Sequence, residues 1–348
     1  MQSKLRIAVF GTGLAWAPHR DSLADLADRV DVAWIVGRNH ERASEQAAMF
    51  AGARATTSID DVLADPGVGA ALVLTPPHTH LEIVERLAAR GIHVLLEKPL
   101  DIDTPRARAV VDVCRAHGVT LGVVFQHRMR PAFRQLKQLL LDGALGTLTH
   151  ALIDVRWWRP QSYYNVPGRG TLARDGGGVL LTQAIHTLDL FLDLAGPVDE
   201  VAALCTTSAA HRMECEDLVC GTLRMRNGML ASLVATTAAF PGFAERIELG
   251  GTLGSATLGG GELRVQWMDG REARCGEASA TGSGADPMAF GHAPHRALIA
   301  DFVDAIRERR APAADGAAGL AVHCLIEALI DSSAARAFVP LHRSEALA

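Results

Sequence analysis

Apolar residues follow two rhythms along this chain. Between residues 5 and 125, short apolar runs alternate with stretches of helical period: LRIAVF (5–10), DVAWIVG (31–37), GAALVLT (69–75), IHVLLEK (92–98) and VTLGVVF (119–125). Runs of this kind fit strands buried on both faces, because helices cover a parallel sheet on each side. Helices are predicted between them over 18–28, 40–51, 79–90 and 104–117. Two of these end in Arg90-Gly91 and His117-Gly118, with a cation in the last turn and glycine beyond it. Strand–helix alternation of this length predicts a doubly wound α/β domain.

The second half changes rhythm. Strands are predicted at 147–157 and 199–208, then as two hairpins, LVCGTLRMR-NG-MLASLVATT and ELRVQWM-DG-REARC. Asn-Gly and Asp-Gly supply the positive φ angles of a tight hairpin turn. Helices are expected around 129–143, 176–194, 289–310 and 316–336, and a surface loop over the small, polar stretch 276–294. The pattern therefore divides into an α/β domain, 1–125, and an α+β domain dominated by an antiparallel sheet, 126–348.

Composition narrows the class. At 348 residues the chain exceeds one comfortable core, so two domains agree with its length. A net charge of −5 with no dense Lys/Arg stretch argues against a nucleic-acid partner. The six cysteines lack framework spacing, and His211, Cys215 and Cys220 have no CxxC pair, so neither disulfides nor a metal is expected. No run of 18 uninterrupted apolar residues and no signal-peptide pattern is present, which makes a cytoplasmic protein without a membrane partner the expectation.

Candidate chemistry begins at VFGTGLAW. Gly11 and Gly13 follow the first strand, where a nucleotide-binding turn needs them, but Trp16 stands where a third glycine is usual. The third glycine serves helix–strand packing, whereas the first two serve the turn and the close approach of pyrophosphate. Pro18 places the helix start a little later. The second strand ends Val36-Gly37-Arg38-Asn39 without the acid that reads a ribose 2′-hydroxyl. Gly37 leaves room and Arg38 offers a guanidinium, which favours NADP(H) over NAD(H). Thr75-Pro76-Pro77-His78-Thr79-His80 and Glu97-Lys98-Pro99 end two further strands at the edge where open α/β sheets bind ligands.

In DGGGVLLTQAIHTLDLFLD, Gly176–Gly178 let backbone come close to a partner before a helix begins. Leu181, Ile185, Leu188 and Leu192 form its apolar stripe, while Thr182, His186, Asp189 and Asp193 form a separate polar face. His186 there reads either as a general acid/base or as part of a solvated face. RWWRPQSYYNVPGRGT gathers Arg156, Trp157, Trp158, Arg159, Tyr163, Tyr164 and Arg169, a composition suited to a sugar face or an acidic group, or to a packed loop.

Taken together, TPPHTH, VLLEKPL, FQHRMRPAFRQLKQLLLDGALG, DGGGVLLTQAIHTLDL, GGTLGSATL and HRALIADFVDAI resemble the Gfo/Idh/MocA family of NAD(P)-dependent oxidoreductases along nearly the whole chain. The resemblance implies a Rossmann domain followed by a domain with a large, mostly antiparallel sheet, often the contact surface of a homodimer or homotetramer. It implies that Lys98 and His186 are catalytic, moving the hydroxyl proton while hydride passes between nicotinamide C4 and a carbon of a sugar, sugar derivative or cyclitol. Gly11, Thr12, Gly13, Leu14, Ala15, Gly37, Arg38, Thr75, Pro76, Pro77, His80, Glu97, Lys98 and Pro99 are the expected cofactor-binding set. Lys98, Arg128, Trp158, Tyr163, Tyr164, Arg169, Thr182, Gln183 and His186 are the expected substrate-binding set. One departure matters: the family often has Asp where this chain has Thr182, and a threonine cannot serve as a carboxylate base. Asp189, one turn beyond His186, is a candidate to orient it. Two alternatives stay open, redox-assisted elimination or hydrolysis on a sugar, and a non-catalytic ligand sensor on the same fold.

Overall fold

The computed structural model describes residues 3–277 and 291–341, so most of the loop expected over 276–294 lies outside the described residues. Two compact units emerge. In the first, β1 (Leu5–Phe10), α1 (Trp16–Asp25), β2 (Val30–Val36), α2 (His40–Ala47), β3 (Arg54–Thr56), α3 (Ile59–Leu63), β4 (Ala70–Val73), α4 (His80–Ala88), β5 (His93–Leu96), α5 (Thr104–Ala116) and β6 (Leu121–Val123) follow in order. The strands lie β3-β2-β1-β4-β5-β6 and every neighbouring pair is parallel. The topological switch falls between β1 and β4, the doubly wound arrangement that the apolar runs predicted. Those runs extend beyond the paired strands because Leu74-Thr75, Glu97-Lys98 and Val124-Phe125 already belong to loops at the C-terminal edge. The three residues of β3 are too few to show any periodicity, and the sequence pattern missed them.

The chain returns to this unit. Residues 291–320, assigned from sequence to the second domain, pack with the first. The reason is the helix Ala293–Glu308, which buries Leu298, Ile299, Phe302 and Val303 and lies against α1 and β5. Phe302 reaches the strand at Gly122, where even a methyl group would come within 2.9 Å of its ring.

Trp16 explains how α1 leaves the glycine turn. It is the first residue of the helix, which therefore starts two residues before Pro18 rather than at it. Its indole is 4% exposed, donates from Nε1 to Gln46 Oε1 at 2.7 Å and tilts over Phe50 with centroids 6.1 Å apart. The side chain thus fills the crevice between α1 and the end of α2.

In the second unit, α6 (Pro131–Leu141) and β7 (Leu148–Arg156) are followed by the short helices α7 (Gln161–Tyr164) and α8 (Leu172–Asp175). A π-turn over Leu180–Ala184 then leads into α9 (Ile185–Ala195). Next come β8 (Val198–Thr206), β9 (Leu218–Met225), β10 (Leu230–Thr236), β11 (Arg246–Gly251), β12 (Gly254–Gly259), β13 (Glu262–Trp267) and β14 (Glu272–Gly276). The returning helix is α10 (Ala293–Glu308), followed by α11 (Gly316–Ala335) and β15 (Val339–Pro340). Nine strands form one sheet in the order β14-β13-β12-β11-β7-β10-β9-β8-β15, antiparallel except for β7 with β10. Both predicted hairpins are present, β9–β10 at Asn227-Gly228 and β13–β14 at Asp269-Gly270. Two helical stretches, Leu172–Ala195 and Gly316–Ala335, match a membrane span in length and apolarity, but the first has 83% of its most apolar window buried inside the fold.

Replacing Trp16 with Ala removes a buried indole and its hydrogen bond, so stability should fall by about 3–5 kcal/mol. Urea denaturation of the two proteins measures this, and a loss under about 1 kcal/mol would contradict the packing role.

Candidate functional site

At the C-terminal edge of the parallel sheet, Gly11 turns the chain with φ +95° and donates its N–H to Val36 O at 2.9 Å. A Cβ there would sit 3.0 Å from Leu74 O, so both backbone conformation and space demand glycine. Gly13 differs: a Cβ on it would meet nothing within 4 Å. The protein's own packing leaves that space open beside the start of α1. Ala15 provides no side-chain cap for α1, whereas Asn39, Ser58 and Asp103 cap α2, α3 and α5. Uncapped N–H groups at a helix start suit an anion. Thr12 is buried, Leu14 is exposed, and Thr12 O accepts from Arg42 Nη2 at 2.7 Å. These residues fit the pyrophosphate of a dinucleotide. At the end of β2, Gly37 donates to Thr56 O, while Arg38 and Arg42 are both exposed.

The next two loops are stapled together. His80 was expected to face the cofactor, but its ring is fully buried: Nε2 lies 2.8 Å from Thr75 O, and Nδ1 lies 3.1 Å from both Pro99 O and Leu100 O. Burial pushes its pKa down against the pull of those carbonyls. His80 therefore shapes the Thr75-Pro76-Pro77 and Pro99 loops and presents no edge to a ligand. Lys98-Pro99 is a cis peptide, and Lys98 is half-buried. Glu97 Oε2 accepts the Lys98 N–H at 2.9 Å, and Oε1 lies 3.1 Å from His19 Nε2. Burial pushes the Glu97 carboxyl up, but the hydrogen bond from His19 and the charges of His19, Lys98 and His295 leave it below the usual range. The fully buried His19 meets His295 of α10 edge-on at 4.9 Å. Sequence reasoning passed over both histidines, because a single histidine in a helix gives no sign of which strand end it will reach.

In the second unit, the triple glycine approaches protein rather than a ligand. A Cβ on Gly178 would lie 1.8 Å from Glu216 O. The Glu216 carboxylate accepts from Gly178 N and Leu180 N, both at 3.1 Å, while its carbonyl accepts from Val179 N at 2.9 Å. A half-buried side chain thus satisfies the start of the helical segment carrying His186. Burial raises the Glu216 pKa against the lowering effect of those N–H groups.

The helix is not split into apolar and solvated faces. His186 is 7% exposed and Asp189 is fully buried. The π-turn over Leu180–Ala184 also interrupts the regular spacing from Thr182 to His186. Thr182 Oγ1 lies 2.6 Å from Gly178 O and also contacts the buried Gln183 amide. His186 stacks on His127 at 4.6 Å and 24°, and Arg130 reaches His127 Nε2 at 2.9 Å. Asp189 is paired with Arg128, through Nε at 2.8 Å and Nη2 at 2.6 Å. Burial, against the pull of Arg128, raises its pKa to about 6. Arg128 also reaches Asp193 at 3.1 Å, and Lys137 bonds the other oxygen of Asp193 at 2.7 Å. The expectation that Arg128 binds substrate is therefore corrected: its guanidinium neutralises the buried Asp189 and the half-buried Asp193.

Of the aromatic loop, Tyr164 is also structural, since its hydroxyl bonds Thr237 Oγ1 at 2.8 Å inside the unit. Burial raises its pKa. Trp158 is half-buried, edge-on to the exposed Phe240. Tyr163 and Arg169 are half-buried and bonded to each other. His211 is held by Asp217 at 2.6 Å and Arg159 O at 2.7 Å, and burial drives the Cys215 thiol up to about 12. Among the described residues, no group of three or more His, Cys, Asp or Glu side chains could hold a metal.

A glycine turn heading a doubly wound parallel sheet, with Glu-Lys-cis-Pro ending its fifth strand, defines a dinucleotide-dependent oxidoreductase. Residues 5–125 match the oxidoreductase family model with an NAD-binding Rossmann fold, and residues 133–257 match the GFO/IDH/MocA C-terminal domain. The chain belongs to the Gfo/Idh/MocA family and is an NAD(P)-dependent dehydrogenase or reductase. It is similar to an uncharacterized oxidoreductase of Synechocystis, 29% identical with 75% of this chain and 73% of that protein covered. It is also similar to the inositol 2-dehydrogenase of Rhizobium meliloti, 28% identical over 72% of this chain and 74% of that one. Among solved structures, the WlbA dehydrogenase of Bordetella pertussis in complex with NADH and UDP-GlcNAcA superimposes with a TM-score of 0.83 at 29% identity, covering 98% of this chain and 99% of that one.

Arg128→Met should cost about 3–5 kcal/mol, because it strands the Asp189 carboxylate inside the fold. Chemical denaturation checks this. A normal unfolding midpoint with only a raised substrate KM would restore Arg128 to the binding set.

Proposed function

We propose that the protein interconverts a carbinol and a carbonyl on a sugar, sugar derivative or cyclitol, with Lys98 and His186 exchanging the hydroxyl proton and polarising the oxygen. The observation that carries this reading is the edge of the parallel sheet. There the Gly11–Ala15 turn with its open space and the Glu97-Lys98-cis-Pro99 turn stand on strands of one sheet, β1 and β5. A bound nicotinamide supplies the hydride acceptor or donor. The turn's backbone would hold the pyrophosphate, flanked by Thr75, Pro76 and Pro77. Glu97 braces the backbone of Lys98, so the ammonium group starts from a fixed base. In the second unit, Trp158, Tyr163, Arg169, Thr182 and Gln183 are the proposed substrate contacts beside His186. The inositol dehydrogenase and the WlbA complex support a polyhydroxylated substrate.

NADP(H) is the preferred cofactor in this reading. The end of β2 carries no carboxylate, and Arg38 and Arg42 both stand exposed beside it. Such a pair of guanidiniums suits a 2′-phosphate. Outward-facing Leu204 and Leu230 on the nine-stranded sheet, 70% and 53% exposed, support a homodimer or homotetramer built through that face, in a cytoplasmic enzyme.

Fluorescence titration should give at least about tenfold tighter binding of NADPH than NADH, with the difference lost in Arg38→Ala. Tighter NADH binding would overturn the assignment. In a sugar and cyclitol panel followed at 340 nm, Lys98→Ala and His186→Ala should each lower kcat by about 100-fold or more. Turnover at the normal rate in either variant would remove that residue from the chemistry.

A further inference from the structure

The groups expected to orient His186 are used elsewhere. Asp189 gives one oxygen to Arg128 Nε and the other to Arg128 Nη2, and Thr182 turns its hydroxyl to Gly178 O. The π-turn just before His186 also removes the regular spacing that would set it over a neighbour one turn back. What lies against the ring is another histidine. His127 is 6% exposed and His186 is 7% exposed, and their rings stack with centroids 4.6 Å apart and planes 24° apart.

His127 stands in the short turn before α6. Three residues on, the half-buried Arg130 brings Nη2 to 2.9 Å from His127 Nε2. A guanidinium can only donate, so Nε2 accepts, and the imidazole carries its one proton on Nδ1. Arg130 is held in turn by the buried Glu245, whose Oε1 accepts from Nη1 at 2.8 Å. A fixed guanidinium beside Nε2 opposes a second positive charge on His127. The other charges at this end of α9 are paired with one another, Arg128 with Asp189 and Asp193, and Lys137 with Asp193.

We infer that His127 is a positioning residue for His186: an aromatic platform, kept uncharged by the Arg130–Glu245 pair, that fixes the plane of the His186 ring. Of the two stacked rings, His186 alone then gains and loses a proton. This rests on the proposed role of His186 in proton exchange and adds how that ring is held. A histidine ring turns about two side-chain bonds, and stacking on a buried ring restricts both, so the reacting nitrogen starts close to its working position. An uncharged aromatic face also supports an imidazolium laid against it, whereas a charged one would oppose its formation.

Two variants separate the ring from the hydrogen bond. His127→Phe keeps an uncharged ring without the acceptor, and His127→Gln keeps an acceptor for Arg130 without the ring. With a substrate drawn from the sugar and cyclitol panel, His127→Gln should lower kcat about tenfold while KM changes less than about threefold. His127→Phe should keep kcat within about threefold of wild type, with the acid limb of its kcat–pH profile at the same pH, because His127 has no proton to give up. NADPH affinity should be unchanged in both. In ¹⁵N-histidine NMR of the intact protein, the ring whose signals vanish in His127→Phe should stay uncharged, with Nε2 bare, between about pH 5 and 8. The platform is refuted by wild-type turnover in His127→Gln, by a His127→Phe as slow as His127→Gln, by loss of the acid limb in His127→Phe, or by a His127 ring that gains charge in that range. If His127→Gln does not fold, the phenylalanine variant and the wild-type NMR signals decide. Normal turnover in His186→Ala would instead remove the proton-exchange role on which the platform rests.

Discussion

The parallel pairing of six strands is the constraint from which the first unit follows. Parallel neighbours cannot be joined by a hairpin, so each connection must cross the sheet and return to the opposite end. All loops leaving the strands then collect at one edge. The glycine turn after β1, the Gly37-Arg38 segment after β2, the proline loop after β4 and Glu97-Lys98-Pro99 after β5 share that edge because of topology. His80 and Glu97 lock the result. One ties the proline loop to the carbonyls of Pro99 and Leu100, and the other ties the backbone of Lys98 to His19 on α1. Lys98 therefore stands on a strand end braced by the buried His80 and the half-buried Glu97.

The second unit solves a different problem, burying an apolar helix that carries a few polar side chains. A helix start leaves several N–H groups unpaired, and burial makes each one costly. Glu216 meets two of them, Gly178 supplies the space that its carbonyl needs, and Arg128 neutralises Asp189 one turn beyond His186. The π-turn changes which residues share a face, so Thr182 and His186 do not follow a regular α-helical spacing. Thr182 is bonded back to its own helix at Gly178 O. Its hydroxyl reinforces the turn and leaves ionisable chemistry to other groups.

Much of this arrangement was legible in the residues, and the misreadings share one cause. Apolar runs located the strands of the first sheet apart from β3, and Asn227-Gly228 and Asp269-Gly270 located two hairpins. These are local signals, read within a few residues. His80, Arg128 and Tyr164 were misread because a polar side chain in a functional-looking motif looks the same whether it faces a ligand or a buried carbonyl. At Gly178 the sequence shows that backbone approaches something, and only the structure shows that the partner is Glu216. Segment 291–320 was assigned to the wrong unit because an amphipathic helix carries no label for the sheet it will cover.

By itself, the sequence determined the element types, the class of the first sheet, the glycine turn and the absence of an acid after β2. Each depends on local backbone sterics or on periodicity, which neighbouring residues alone specify. Tertiary structure decided which polar groups are used up inside the protein. Trp16 turned out to be a wedge between helices, Arg128 a buried counter-ion and Glu216 a helix cap. Desolvation and pairing depend on atoms distant in sequence, and only the folded chain brings them within hydrogen-bonding distance.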